Sequence, residues 1–169
     1  MASFLDQLDD DKLRALYLYW QDMRGDHRAP PYRSFDPVAI PQVLANILVT
    51  DVVTAEDGAR RYRYRLCGTE VEENFGCPMG GKFIDELMSG EYLDYISGLY
   101  DRVVEGKTPV FSQSSYGDFD RGLHTKRLML PMTSDGETID IVLSIQTFFR
   151  SSLLSEPILI QQDSFEDEG

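Results

Sequence analysis

Residues Arg61 to Gly76, RYRYRLCGTEVEENFG, constrain the fold most, because their pattern changes from two-residue alternation to a helical spacing across one Gly-Thr junction. In Arg61 to Leu66 the arginines point one way and Tyr62, Tyr64 and Leu66 the other, as in a strand with one buried face. From Thr69 the spacing is helical, with Thr69 as the expected N-cap, Glu72 at capping-box distance and Gly76 as the stop. A strand that runs straight into a short helix builds one wall and one lid of a cavity.

The segment before it carries the strongest helical signal, Asp9 to Gly25. Leu13, Leu16, Tyr17, Trp20 and Met23 recur at three- and four-residue intervals behind the acidic start Asp9-Asp10-Asp11. This apolar stripe has two candidate partners, the chain's own sheet or a second subunit, and its five residues are the candidate partner interface. Gly25 to Ser34 is a polar connection, and Phe35-Asp36-Pro37 opens a helix, with Asp36 as N-cap, that Pro41 shortens or divides. Ile47 to Val53 is a β-branched run that turns at Glu56-Asp57-Gly58 and predicts an antiparallel hairpin with the RYRYRL strand.

After Gly76, Cys77 to Gly81 reads as a loop and Lys82 to Met88 as a helical turn anchored by Phe83, Ile84 and Leu87. Glu91 to Glu105 is a second amphipathic helix, with Tyr92, Tyr95, Ile96, Leu99 and Val103 on its buried side. Three strands follow, Pro109 to Tyr116, Leu123 to Met132 and Thr138 to Phe149, with turns at Gly117 to Gly122 and Ser134-Asp135-Gly136. Beyond Arg150 the periodicity is lost. Leu153, Leu154, Ile158, Leu159 and Ile160 leave a docked segment open, and Gln161 to Gly169 reads as a mobile acidic tail.

The formal net charge of −13 weighs against nucleic acid as a partner, since a phosphate backbone calls for a clustered basic surface. In so acidic a chain, Arg61, Arg63 and Arg65 suit its own carboxylates or an acidic surface on a partner. No basic start with an apolar core and no apolar run of about 18 residues is present, so neither export nor membrane insertion is expected. The expected compartment is the cytoplasm, which suits free thiols at Cys67 and Cys77. His27 and His124 are too few to predict a metal site. No catalytic residue is assigned. Ser112, Ser114 and Ser115 have no neighbouring histidine in sequence, the carboxylate pairs Glu72-Glu73 and Asp85-Glu86 diverge, and Gly80-Gly81 is not a phosphate loop.

Two strands, a helical crossover and three more strands predict an α+β domain. Its five-stranded antiparallel sheet would carry the crossover on one face, with the N-terminal amphipathic helix added. This order resembles the PAS fold. The blocks YLYWQDMRG, FDPVAIPQVLANILVTDV, YRYRLCGTEVEENFGCPMGGKFIDEL and TKRLMLPMTSDGETIDIVL, in that order, resemble the single-domain PAS-like family of alphaproteobacteria over roughly residues 10 to 148. The corresponding division is an N-terminal helix and linker at 1–34, a PAS-like domain at 35–150 and a C-terminal segment at 151–169.

The resemblance implies a sensory or regulatory module with a cavity between sheet and helices, acting through changed contacts with a signalling partner. It names neither ligand nor cofactor. Neither histidine falls in the crossover, where haem-binding PAS domains carry their ligand. The Cys77 segment is similar to that of the flavin-binding photosensors but lacks their surrounding asparagine, arginine and glutamine. The wall of a ligand site would come from Tyr62, Tyr64, Leu66, Phe75, Phe83, Met129 and Leu143, whose alternative role is plain core. Three readings of function follow. The first is a regulatory module that binds a small molecule, a signalling protein or both. The second is a ligand-free adaptor acting through a protein partner or as a homodimer. The third is a small isomerase-like enzyme, for which no Asp or Glu stands at an inward strand position.

Overall fold

Asp10 starts the N-terminal helix α2 (Asp11–Arg24), its Oδ1 accepting from the Lys12 and Leu13 amides at 2.9 and 3.3 Å. One turn, α1 (Phe4–Gln7), precedes it, and Gly25 at φ 55° ends it. The computed structural model describes residues 2–115, 123–150 and 159–163. The expected turn at Gly117 to Gly122, the segment with Leu153, Leu154 and Ile158, and the acidic tail from 164 onward lie outside the described residues.

Pro41 divides the segment before the sheet, giving two 3-10 turns, Pro37–Ala39 and Pro41–Asn46, the first capped by Asp36 on the Val38 amide. The hairpin follows as β1 (Ile47–Thr54) and β2 (Arg60–Cys67), closed by Ala55 N–H donating to Ala59 O at 2.8 Å. Then α3 (Thr69–Phe75), α4 (Ile84–Leu87) and α5 (Gly90–Gly106) cross over to β3 (Val110–Ser115), β4 (Leu123–Thr133) and β5 (Ile139–Arg150).

A sixth strand, β6 (Leu159–Gln162), joins the five that the sequence predicts, and the antiparallel order is β2-β1-β5-β4-β3-β6. Gln161 and Gln162 therefore belong to a strand and not to a mobile tail. The physical reason is the edge of β3, whose unpaired backbone groups β6 satisfies from Val110 to Gln113.

Both faces of this sheet are covered. Leu13, Leu16 and Trp20 of α2 pack with Val49, Phe111, Leu128, Leu130, Leu143 and Ile145 on one face. On the other, α3, α4 and α5 pack over Leu48, Tyr62, Tyr64, Val110, Met129 and Val142. Strand alternation divides β4 between them, Leu128, Leu130 and Met132 facing α2 and Met129 facing α5.

The α2 stripe is thus buried on the chain's own sheet, which corrects its assignment as a partner interface. Leu13, Leu16 and Trp20 are wholly buried, Tyr17 almost so, and Met23 is packed at their margin. Trp20 Nε1 donates to the Pro131 carbonyl at 2.9 Å inside this core. The sheet face under α2 is apolar and would otherwise stand open to water, which decides the partner. Segment 1–34 and the sheet consequently share one core.

At the Gly-Thr junction the structure also differs from expectation. Gly68, not Thr69, is the N-cap, and Thr69 is the first helical residue. Gly68 is required by close approach, since a Cβ there would stand 2.2 Å from the Ala45 carbonyl oxygen. Glu72 reaches forward to accept from the Met79 amide at 2.7 Å instead of back to a cap, while Gly76 at φ 95° ends the helix as expected.

Candidate functional site

The strand that the sequence marks as a wall does carry an inward tyrosine face, up to a point. Tyr62 and Tyr64 are buried under the crossover. A bulge then pairs Val49 with Leu66 but Thr50 with Tyr64, which leaves Arg65 as the extra residue and reverses the alternation. Leu66 is therefore turned outward, 46% exposed, and Cys67 continues the inner face. Burial, with the charge of Glu72 behind it, pushes the Cys67 thiol up to about 12, so it stays protonated and unreactive.

The outer face of β2 is paired within the chain. Arg61 holds Asp85 through Nε and Nη2 at 2.8 and 2.7 Å, and Arg63 and Arg65 share the nearly buried Asp51 at 3.1 and 2.6 Å. Phe83 lies beneath this row, its ring centroid 3.8 Å from the Arg61 guanidinium carbon. The segment around Phe83 pairs with the edge of β2. Gly81 N–H donates to Tyr64 O and Tyr64 N–H to Lys82 O, at 2.6 and 3.0 Å. Leu143 is likewise displaced, facing α2 across the sheet.

A cavity of about 40 Å³ does lie between the sheet and the crossover. Its floor is Tyr64 of β2, Leu123, Thr125 and Arg127 of β4, and Gln146 and Phe148 of β5. Its roof is Val71, Asn74 and Phe75 of α3 with Met79 and Met88, and its side is Tyr92 and Ile96 of α5. Of the seven residues assigned to a ligand wall, Tyr64 and Phe75 line it, while Tyr62 and Met129 sit in the apolar cluster beside it. Tyr62 stacks on Tyr100 with centroids 4.8 Å apart and donates to Asp101. Burial, then that carboxylate, holds the Tyr62 phenol well above its ordinary value.

Arg127 is the residue that sequence reasoning missed. The residue is 3% exposed, and among the described residues that line the cavity it is the only charged one. Nη2 reaches the Tyr92 hydroxyl at 3.4 Å, a long bond, and Nη1 is buried with no hydrogen-bond partner among the described residues. No carboxylate among the described residues forms an ion pair with it. Burial works against its charge, but the hydroxyls of Tyr92, Tyr95, Tyr64 and Tyr100 surround it, and the balance leaves its pKa raised. What is left over is the unpartnered Nη1, and a buried donor without a partner costs roughly 1–3 kcal/mol. The sequence did hold a signal for it. Leu128 to Met132, LMLPM, is apolar at consecutive positions, so both sheet faces must be covered and one of Lys126 and Arg127 must turn toward each.

Among the described residues no group of three or more His, Cys, Asp and Glu side chains could hold a metal ion, and no helix is long and apolar enough to cross a membrane. No curated protein and no solved structure matches the chain. The PAS domain family profile matches residues 8–146. That span takes in α2, the hairpin, the crossover and most of β5, and with the sheet order and the cavity under the crossover it establishes that the chain belongs to the PAS domain family.

Proposed function

We propose that this chain is a sensory and regulatory module that binds a small molecule in the cavity between its sheet and its crossover and acts through changed contacts with a protein partner. The observation that carries this reading is the cavity itself, which has a polar floor and an apolar roof. Ligand sites combine an apolar lining with a few placed polar groups in this way. The roof is suited to respond. It is made of two short helices and a loop, tied to β2 through Gly81 and Lys82 at Tyr64 and within itself by Glu72 to the Met79 amide, and its methionines repack at low cost.

A cavity of about 40 Å³ has room for a few waters or a small group, so a larger ligand must displace the roof. That displacement is the output, because binding acts only through a difference in affinity for two arrangements. Native mass spectrometry of the full chain purified from its native cells tests the reading. An added non-covalent mass, released on denaturation, is expected. A bare-chain mass in every preparation would contradict it and favour the ligand-free adaptor.

A further inference from the structure

We infer that the cavity is an acceptor for a small monocarboxylate, its carboxylate held by Arg127 and its hydrocarbon body lying against the roof. This deepens the sensor reading and rests on it. Arg127 supplies the anion half. It is 3% exposed, it lines the cavity, its Nη1 is without a hydrogen-bond partner among the described residues, and its Nη2 is engaged by a neutral hydroxyl at 3.4 Å. A guanidinium fork matches a carboxylate through two parallel N–H···O bonds, and a desolvated one gains most from such a partner. The hydroxyls of Tyr64 and Tyr92 on the same lining are donors for the remaining lone pairs of the carboxylate.

The number of charges selects the class. Among the described lining residues Arg127 is the only cation, and no anion opposes it. One negative charge is balanced there. A dicarboxylate or a phosphate dianion would bury a second charge with no partner, which a dry site penalises. The roof selects the body. Val71, Phe75, Met79 and Met88 there, with Ile96 at the side, offer only carbon and sulfur, and the one polar roof residue, Asn74, already donates to the Glu70 carbonyl, so the rest of the ligand is mainly apolar. Its first few carbons fit the present space, and a longer or aromatic body enters as Met79 and Met88 repack.

Calorimetric titration of the full chain with butyrate, benzoate, their neutral amides, succinate and inorganic phosphate tests this, using wild type, Arg127→Met and Tyr92→Phe. At least one monocarboxylate should bind saturably. Its amide should bind about tenfold or more weakly, and so should the acid to Arg127→Met, with a smaller loss in Tyr92→Phe. Amides binding as well as acids, or succinate or phosphate binding as tightly as either monocarboxylate, would overturn the anion class while the sensor reading stands. Undiminished binding to a folded Arg127→Met would overturn the assigned residue. Binding by none of the six overturns the inference, and the native-mass measurement then decides separately whether any ligand exists. Should Arg127→Met fail to fold, the Arg127 Nε resonance of wild type must move on adding the bound acid, and a fixed resonance overturns the inference.

Discussion

Arg127 on β4 and Tyr92 on α5 meet at 3.4 Å between Nη2 and the phenol oxygen, and this long contact is the only hydrogen bond the guanidinium makes among the described residues. A buried cation held by so little is a liability in the empty protein. Replacing a buried ion pair by well-packed apolar side chains is often neutral or stabilising by roughly 1–4 kcal/mol, and a cation that forms no ion pair among the described residues leaves no partner charge behind when it is removed. Arg127→Met should therefore raise the urea midpoint of the ligand-free chain without changing the slope. A midpoint well below wild type would show that the arginine is satisfied within the fold.

Trp20 fixes α2 to the sheet through its buried ring and its bond to the Pro131 carbonyl at 2.9 Å. Truncating it to Ala should lower unfolding stability by about 3–5 kcal/mol, and Trp20→Phe by roughly 1–3 kcal/mol, the share of a buried acceptor left unpaired. Urea denaturation followed by circular dichroism measures both. A loss below about 1 kcal/mol for Trp20→Ala would mean that α2 is not part of the core.

Gly68 is a steric requirement and Gly80 is not. A Cβ at Gly68 would lie 2.2 Å from Ala45 O, against backbone that cannot swing away, whereas at Gly80 it would meet nothing within 4 Å. Gly68→Ala should cost about 1–3 kcal/mol or more, with Gly80→Ala within about 0.5 kcal/mol of wild type. Equal thermal midpoints for the two variants would contradict the packing of β2 into α3 described above.

The chain should be sensitive to alkali. Tyr62, Tyr64, Tyr92 and Tyr100 are all shifted up from the ordinary 10.0, burial being the first cause in each, and Tyr92 is pushed up to about 12. Because the folded values are raised, the stability these phenols contribute is fully present below pH 10.0 and declines above it, where the unfolded chain loses its protons first. Each contributes a slope of up to about 1.4 kcal/mol per pH unit. Phenolate absorbance and melting temperature, recorded together across this range, should show these tyrosines ionising only as the fold is lost. Their titration in a fully folded protein would contradict their burial.

Local pattern made most of the architecture readable. The α2 stripe, the hairpin with its Glu56-Asp57-Gly58 turn, the α5 face and the alternation in β5 each follow from spacing that one residue's neighbours determine. What spacing does not hold is the side on which a second layer arrives. A stripe reads the same whether it meets its own sheet or another chain, and for Leu13, Leu16, Tyr17 and Trp20 the apolar sheet face decides between them. The bulge at Arg65 is likewise invisible in RYRYRL, because alternation is silent about the one residue that breaks it, and Leu66 was misplaced for that reason. Leu143 and Phe83 belong to other layers than their apolar character suggests, Leu143 under α2 and Phe83 under Arg61. Arg127 is not legible in the sequence as a site residue because a charged residue in a strand is ordinarily solvated, and here the strand is buried on both faces.

Occupancy of the cavity should act on its roof. Amide hydrogen exchange across residues 69–88 of the full chain, with and without saturating benzoate, measures this most directly, with Arg127→Met as the comparison. A changed exchange rate is expected in this segment of wild type and none in the variant, while the sheet strands stay as they were. Unchanged exchange at 69–88 in wild type, or the same change in Arg127→Met, would contradict it.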